Sequence, residues 1–483
     1  MTRTHRTPRR VARLVAALLG LALVAAACAG GDEASLRRTI EGELVAGDSP
    51  EAAAEATVDP VSGEPTTQTS IVTTGGGQAA APQGGGGGGV PAAPAAPSGP
   101  VDRNSDRGVT DSTIKLGVIS VLSGGQRFVG EPPYRTALAY AEDINRRGGI
   151  NGRQLEVIGY DVCISCPEDG LAAAIKAVEE DGVFAILNGF VANASLRPAI
   201  DYLSKNETPM IQTSGKPTVD PWVYAFGLHL PYRGAIDADY ANDYLEEKGL
   251  PKKVALLRFN TPLDEEVQKW QRIALQKHGI EIVDEVAIEY GAGMTNQGSQ
   301  TSKMQAAGAE LIVGSHGVVC AFNMLSAGQN DWDVPYLCTI LYDQYAQELA
   351  GDTIYERDVM ADSDGYATPD MPGPGVEKYN RVMSTFYPGY DVGLLTLYSF
   401  LGMQVFEDCA APQGDNLTRT GIQQCLAGLN GYDGGGLVPP FTVTPTDHTA
   451  IKGAVRLKLK PDGSWENVSN GFVYPDPIHG LPR

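Results

Sequence analysis

The stretch Ala141-Glu-Asp-Ile-Asn-Arg-Arg-Gly-Gly-Ile-Asn-Gly-Arg153 closes a helical pattern and leads directly into a strand-like run. Upstream, Tyr134, Leu138, Ala141 and Ile144 recur at helical spacing, and Gly148-Gly149 supplies the stop. An apolar run at 114–121 precedes that helix, and another at 154–162 follows the turn. Strand, helix and strand in that order form the unit of a parallel sheet, because parallel neighbours need a crossover that returns the chain to the same edge.

The alternation continues outward. Short β-rich runs at 183–190, 209–213, 253–260, 280–288, 311–315 and 336–341 are separated by segments of helical spacing. A helical block spans about 376–429, and strand-like pieces follow from 438 to 473. The 372 residues from Ser112 to Arg483 exceed what one core usually organises, so two α/β lobes with parallel sheets are expected.

Ahead of this lies a different kind of chain. Arg3, Arg6, Arg9, Arg10 and Arg13 precede an uncharged apolar run of 14 residues from Leu14 to Ala27, which reads as an export signal over 1–27. The run ends Val24-Ala25-Ala26-Ala27-Cys28, which resembles a bacterial lipobox and implies cleavage before Cys28 with lipid added there. Residues 28–111 contain too little bulky apolar side chain to offset ordering, including Gly84 to Gly89 and a Pro/Ala segment. They read as a tether of roughly 50 Å average span.

Loss of the five arginines takes the formal charge from −21 to −26. Such an acidic chain repels nucleic-acid phosphates and anionic lipid heads, so only the anchor would hold it at a membrane. An even set of six further cysteines in an exported chain points to disulfides. Of fifteen possible connectivities, Cys163 with Cys166, Cys320 with Cys338 and Cys409 with Cys425 joins neighbours along the chain.

The quoted segment is similar to the most recognisable part of the type I periplasmic-binding-protein family, in its branched-chain amino acid (Leu/Ile/Val) branch of ABC-transporter receptors. Ile114-Lys-Leu-Gly-Val-Ile-Ser-Val-Leu-Ser-Gly124, Thr208-Pro-Met-Ile-Gln-Thr-Ser214, Lys253-Val-Ala-Leu-Leu257 and Met304-Gln-Ala-Ala-Gly-Ala-Glu-Leu-Ile-Val313 follow the family in order. The resemblance covers roughly 112–473. It implies two Rossmann-like lobes joined by three hinge crossings, placed here near 226–231, 365–368 and 437–443. The first lobe would then be 112–228 plus 367–437 and the second 229–366 plus 438–483. It also implies a receptor, without cofactor, that closes on a small solute and delivers it to an ABC permease.

Ligands of open parallel sheets sit beyond the carboxyl ends of the strands, where unpaired N–H groups favour an anionic group. In the first lobe this singles out Ser123, Gly124, Gln126, Phe190, Ala192, Asn193, Ala194, Thr213 and Ser214, and in the second Asn260, His316 and Asp343. The plainer readings stand beside these: turn glycines, an N-cap at Asn193, and an interior histidine at His316. The resemblance places an ammonium-binding acid just after the first hinge strand, where this chain has Leu230 or Pro231. An ammonium buried there without a carboxylate would cost several kcal/mol, which disfavours an α-amino acid and suits an anionic or aromatic solute better.

Catalytic signatures are sparse. The chain carries no Gly-x-Ser-x-Gly, His-Glu-x-x-His or Walker sequence, and its six histidines show no metal spacing. His316 and Cys320 are four apart, but a disulfide accounts for Cys320. Cys163-Ile-Ser-Cys166 has the spacing of a thiol–disulfide oxidoreductase, against a structural bridge in the loop. A ligand-sensing lipoprotein of the same fold is the other alternative, since fold does not settle use.

Overall fold

The structure is a computed structural model that describes residues 106–481, apart from 125, 164–165, 190–192, 213–219, 290–293, 340–343, 390–392 and 447. Side chains at 188, 193–195, 344–346 and 449–450 are likewise outside the description.

In chain order, β1 (Thr113–Ser120), β2 (Gln154–Asp161), β3 (Ala185–Asn188), β4 (Met210–Gln212) and β5 (Val223–Leu228) build a first sheet. The helices Arg127–Arg146, Pro167–Ile175 and Asn193–Lys205 run between its strands. A second sheet takes β6 (Lys253–Phe259), β7 (Glu281–Ile288), β8 (Leu311–Gly314), β9 (Tyr336–Cys338) and β10 (Val359–Asp362). After helices Pro374–Phe386, Leu394–Ala410 and Arg419–Ala427 come a small ladder of β11 (Asn430–Tyr432) with β12 (Phe441–Thr442), then β13 (Thr449–Ile451), β14 (Arg456–Leu459) and β15 (Trp465–Asn467).

The first sheet has order β13-β5-β4-β3-β1-β2, with every neighbouring pair parallel. The second has order β15-β14-β10-β9-β8-β6-β7, parallel except where β14 and β15 join as an antiparallel hairpin. β1 and β8 are buried along nearly their whole length because helices cover both sheet faces, whereas the edge strand β2 mixes buried and exposed positions. The eight strands expected from the alternation are present, each within a few residues of its expected limits. β5 and β10 were not singled out as sheet strands: β5 overlaps an expected hinge, and β10 is four residues followed by Ser363-Asp364-Gly365.

The stretch 141–153 shows why it is so constrained. Gly148, Gly149, Asn151 and Gly152 all have positive φ. At Gly149 a Cβ would stand 2.1 Å from the Arg153 carbonyl oxygen, so no side chain fits the turn. Arg153 is fully buried, and its guanidinium donates to the carbonyls of Thr110 (2.9 Å), Gly414 (3.1 Å) and Asp415 (3.1 Å), tying the turn to distant chain.

The chain leaves the first sheet after β5, returns after β10 and crosses again after β13. The third passage therefore lies between Ile451 and Arg456 and not at 437–443, because β13 still completes the first sheet beside β5. The three passages are laced together. His229 N–H donates to Ile451 O (2.9 Å), Tyr366 Oη to Phe226 O (2.9 Å), and Ser363 N–H to Val455 O (3.0 Å). Gly365, at φ +90°, lies so close to the third passage that a Cβ would meet Ile451 Cγ2 at 2.4 Å.

Three disulfides close, Cys163–Cys166, Cys320–Cys338 and Cys409–Cys425, joining neighbours along the chain as expected.

Candidate functional site

At the carboxyl edge of the first sheet, the last residue of β2 braces the loop after β1. Asp161 Oδ1 accepts the backbone N–H of Leu122 (2.7 Å) and of Ser123 (3.1 Å). Ser123 is exposed, Gly124 takes φ +71°, and Gln126 opens the helix Arg127–Arg146. Ser120 is buried and donates to Gly130 O (2.8 Å), which seats that helix against the end of β1. Arg127 is exposed and pairs with Glu131 one helical turn on (2.6 Å). Phe190, Ala192, Thr213, Ser214 and Asp343 lie outside the described residues; Asn193 and Ala194 open the helix Asn193–Lys205, with their side chains outside the description.

The second sheet brings a denser set of polar groups to the equivalent edge. Thr261 caps the helix Pro262–Lys277, accepting from Asp264 N–H (3.2 Å), while its hydroxyl donates to Asp264 Oδ2 (2.5 Å). Ser315, just past β8, donates to Asp264 Oδ1 (2.6 Å). Asp264 is thus a buried carboxylate with both oxygens held by hydroxyls. His316 caps the next helix through Nδ1, which accepts from Val318 N–H (3.2 Å). Burial lowers its pKa below the ordinary histidine value; Asp264 opposes that shift and Arg233 adds to it. The imidazole facing this edge is therefore neutral at pH 7. Asn260 is turned toward β7: its amide donates to Glu289 (2.6 Å) and accepts from Arg258 (3.4 Å).

Between these edges, at the passages, sits a buried knot of charge. Arg233, in the first turn after the first passage, pairs with Asp364 of the second passage. Asp364 also accepts from Tyr398 of the helix Leu394–Ala410, and its N–H donates to Asp362 Oδ1 (2.7 Å). One turn past Arg233, Asp237 accepts from Gln271 (2.9 Å). Arg233, Asp237, Asp362 and Asp364 are all buried, so three carboxyls share one guanidinium. Burial raises both Asp237 and Asp362 above the ordinary aspartate value; Asp362 adds to the shift of Asp237, Asp237 eases that of Asp362 through a hydrogen bond, and Arg233 opposes both.

Arg233, Asp264, Asp362 and Asp364 were not among the residues picked from sequence. Thr261-Pro-Leu-Asp264 carries a helix-start signal that would have found Asp264, but nothing local marks Arg233 or Asp362. The pairing of His316 with Cys320 is removed by the Cys320–Cys338 bridge. His278 and His479, which share no spacing in sequence, both reach Asp239 in the fold.

A family model described as periplasmic binding protein matches residues 113–464. The leucine-, isoleucine-, valine-, threonine- and alanine-binding protein of Pseudomonas aeruginosa is 26% identical over 204 residues, 41% of this chain and 52% of that protein. The Leu/Ile/Val-binding protein of Escherichia coli K12 is 28% identical over 174 residues, 35% of this chain and 46% of that protein. The chain thus spans about half the length of the curated relatives it matches. Among solved structures, a fatty acid ABC transporter substrate-binding protein from Thermomonospora curvata aligns with TM-score 0.63 at 19% identity, covering 78% of this chain and 95% of that one. The branched-chain amino acid transporter substrate binding protein of Streptococcus pneumoniae, in complex with isoleucine, aligns with TM-score 0.63 at 19% identity, covering 75% of this chain and all of the other. At these identities the structural likenesses speak for the fold.

Proposed function

The chain belongs to the periplasmic binding protein family, and from that premise we propose that it is an extracytoplasmic lipoprotein that captures a small polar solute and delivers it to an ABC importer. The observation that carries this reading is the lacing of three chain passages beside two carboxyl sheet edges. A solute held first by one edge gains contacts with the other only on closure, so binding shifts the population toward a closed form that a permease could recognise. Capture of a solute needs no bond-making chemistry, and the Cys163–Cys166 bridge is assigned a structural role in the loop after β2.

The relatives' names point to branched-chain and small amino acids, and one fold neighbour's to fatty acids. Here the α-amino group lacks the acid expected after the first passage, since Leu230 is an apolar, buried helix start. Asp264 follows β6 and Asp364 follows β10, both in the second sheet, but their oxygens are engaged by Thr261, Ser315, Arg233 and Tyr398. A solute recognised through a carboxylate or amide fits these groups better than one recognised through an ammonium. The first-lobe loops 123–126, 190–195 and 212–215 would hold that group, with His316 as a neutral partner from the second.

A thermal-shift screen of the soluble Cys28→Ser chain tests this against amino acids, small carboxylates, amides, fatty acids, polyamines and sugars. A ligand at a hundred times its dissociation constant stabilises the folded state by about 2.7 kcal/mol, so one carboxylate- or amide-bearing class should raise Tm clearly. A folded protein that ignores the whole panel would remove the receptor reading, and a response to free leucine or valine alone would restore the ammonium site.

The anchor has its own test. Cys28→Ser should shift the protein from the membrane pellet to the supernatant of fractionated cells, because one residue carries the lipid. Retention of the variant in the pellet would mean that another part of the chain binds the membrane.

A further inference from the structure

Asp239, on the helix Leu230–Lys248, is met by two histidines from elsewhere in the chain. His278 Nε2, at the end of the helix Pro262–Lys277, lies 2.6 Å from Asp239 Oδ1, and His479 Nε2, in the C-terminal tail, lies 2.6 Å from the same oxygen. All three ligand-type atoms fall within 4.8 Å of one another. The carboxylate is itself positioned, since Asp239 Oδ2 accepts the backbone N–H of Asp476 (2.8 Å). The tail is seated independently: Lys277 Nζ donates to His479 O (2.7 Å), and Leu481 packs on the apolar core. Asp239 and His479 are almost wholly enclosed, while the His278 side chain keeps 13% of its surface, leaving an approach from solvent.

We propose that Asp239, His278 and His479 form a binding site for a divalent transition ion of the zinc class, which clasps the C-terminal tail to the second lobe. Two imidazole nitrogens and one carboxylate oxygen are the ligand set that borderline ions such as Zn²⁺ and Co²⁺ take, with water completing a tetrahedron. Ions of the calcium and magnesium type prefer oxygen ligands and would not compete for two imidazoles. Each Nε2 stands 2.6 Å from the shared oxygen and would retreat to about 3.3 Å, a shift of about 0.7 Å, to admit an ion at roughly 2.0–2.1 Å from each ligand in tetrahedral geometry. The site does not depend on the solute reading, because it shares no residue with either carboxyl edge.

The test is a titration of the untagged, chelator-stripped full chain with Zn²⁺ and Co²⁺. One equivalent should bind, Co²⁺ should give the visible absorption of a tetrahedral site, and Tm should rise with zinc and fall back with EDTA. His278→Gln and His479→Gln should each weaken zinc at least tenfold, whereas Asp243→Asn, an exposed acid on the same helix, should leave it unchanged. Melting each variant in EDTA separates lost binding from lost folding: a variant that melts like its parent in chelator yet gains nothing from zinc supports the site. Should His479→Gln not fold, His278→Gln, at the exposed side of the cluster, carries the same comparison. Absence of stoichiometric binding, or binding indifferent to both histidines, would overturn the proposal and leave Asp239 as a carboxylate accepting two imidazole N–H bonds.

Discussion

Arg233→Met should destabilise the protein by about 3–5 kcal/mol, measured by urea or thermal unfolding of the soluble chain. Arg233 is buried, pairs with Asp364, and is the cation that offsets Asp362 as well. Methionine fills similar volume, so the loss is chiefly electrostatic: three buried carboxyls would remain with no positive partner. One of them, Asp364, sits at φ +51° in the second passage, held there by its own N–H to Asp362 and by Tyr398. The added change Asp364→Asn should recover a large part of the loss, because it removes the stranded charge while keeping an acceptor for Tyr398. A single variant within 1 kcal/mol of the parent would show that these carboxyls are neutral in the folded state and need no guanidinium.

Asp237→Asn should act in the opposite direction, stabilising the protein at pH 7 by about 1–3 kcal/mol. Burial, then Asp362, raises the pKa of Asp237 well above its ordinary value. A carboxyl whose folded pKa is raised binds its proton more tightly in the folded than in the unfolded chain. Its contribution is therefore fully present below the unfolded pKa and is lost as pH climbs through the folded one. The parent should accordingly gain stability relative to Asp237→Asn as pH falls from neutral toward the ordinary carboxylate range, and the two should converge in mild acid. Asparagine keeps the acceptor that Gln271 uses (2.9 Å) and offers Asp362 a donor. Curves that run parallel from pH 4 to pH 8 would mean that Asp237 titrates the same in both states.

How much of this was legible beforehand differs from element to element. β1, β6 and β8 could be read because helices cover both of their faces and nearly every position rewards an apolar residue. β13 could not. It is three residues long, and its place beside β5 depends on a parallel partner more than two hundred positions earlier. That one strand moved the third passage from 437–443 to beyond Ile451.

The site divides in the same way. Ser123, Gly124, Asn260 and His316 follow strands and so could be picked from order alone, and the structure places each at a strand end. Arg233 could not: it lies within a helix whose buried face is otherwise largely apolar, and its partner arrives from position 364. Asp239, His278 and His479 carry no shared spacing because a metal-type cluster needs only proximity in space.

The sequence by itself determined the acidic charge balance, the alternation of strands and helices, and the turn at 148–152, since these rest on local composition, period and backbone sterics. It also pointed to the pairing of the cysteines, which lie close along the chain. The tertiary structure alone decided where the chain crosses between sheets, which carboxyls share Arg233, and which histidines meet Asp239. Those outcomes depend on contacts between residues up to hundreds of positions apart, and on the desolvation that only a folded interior imposes on charge.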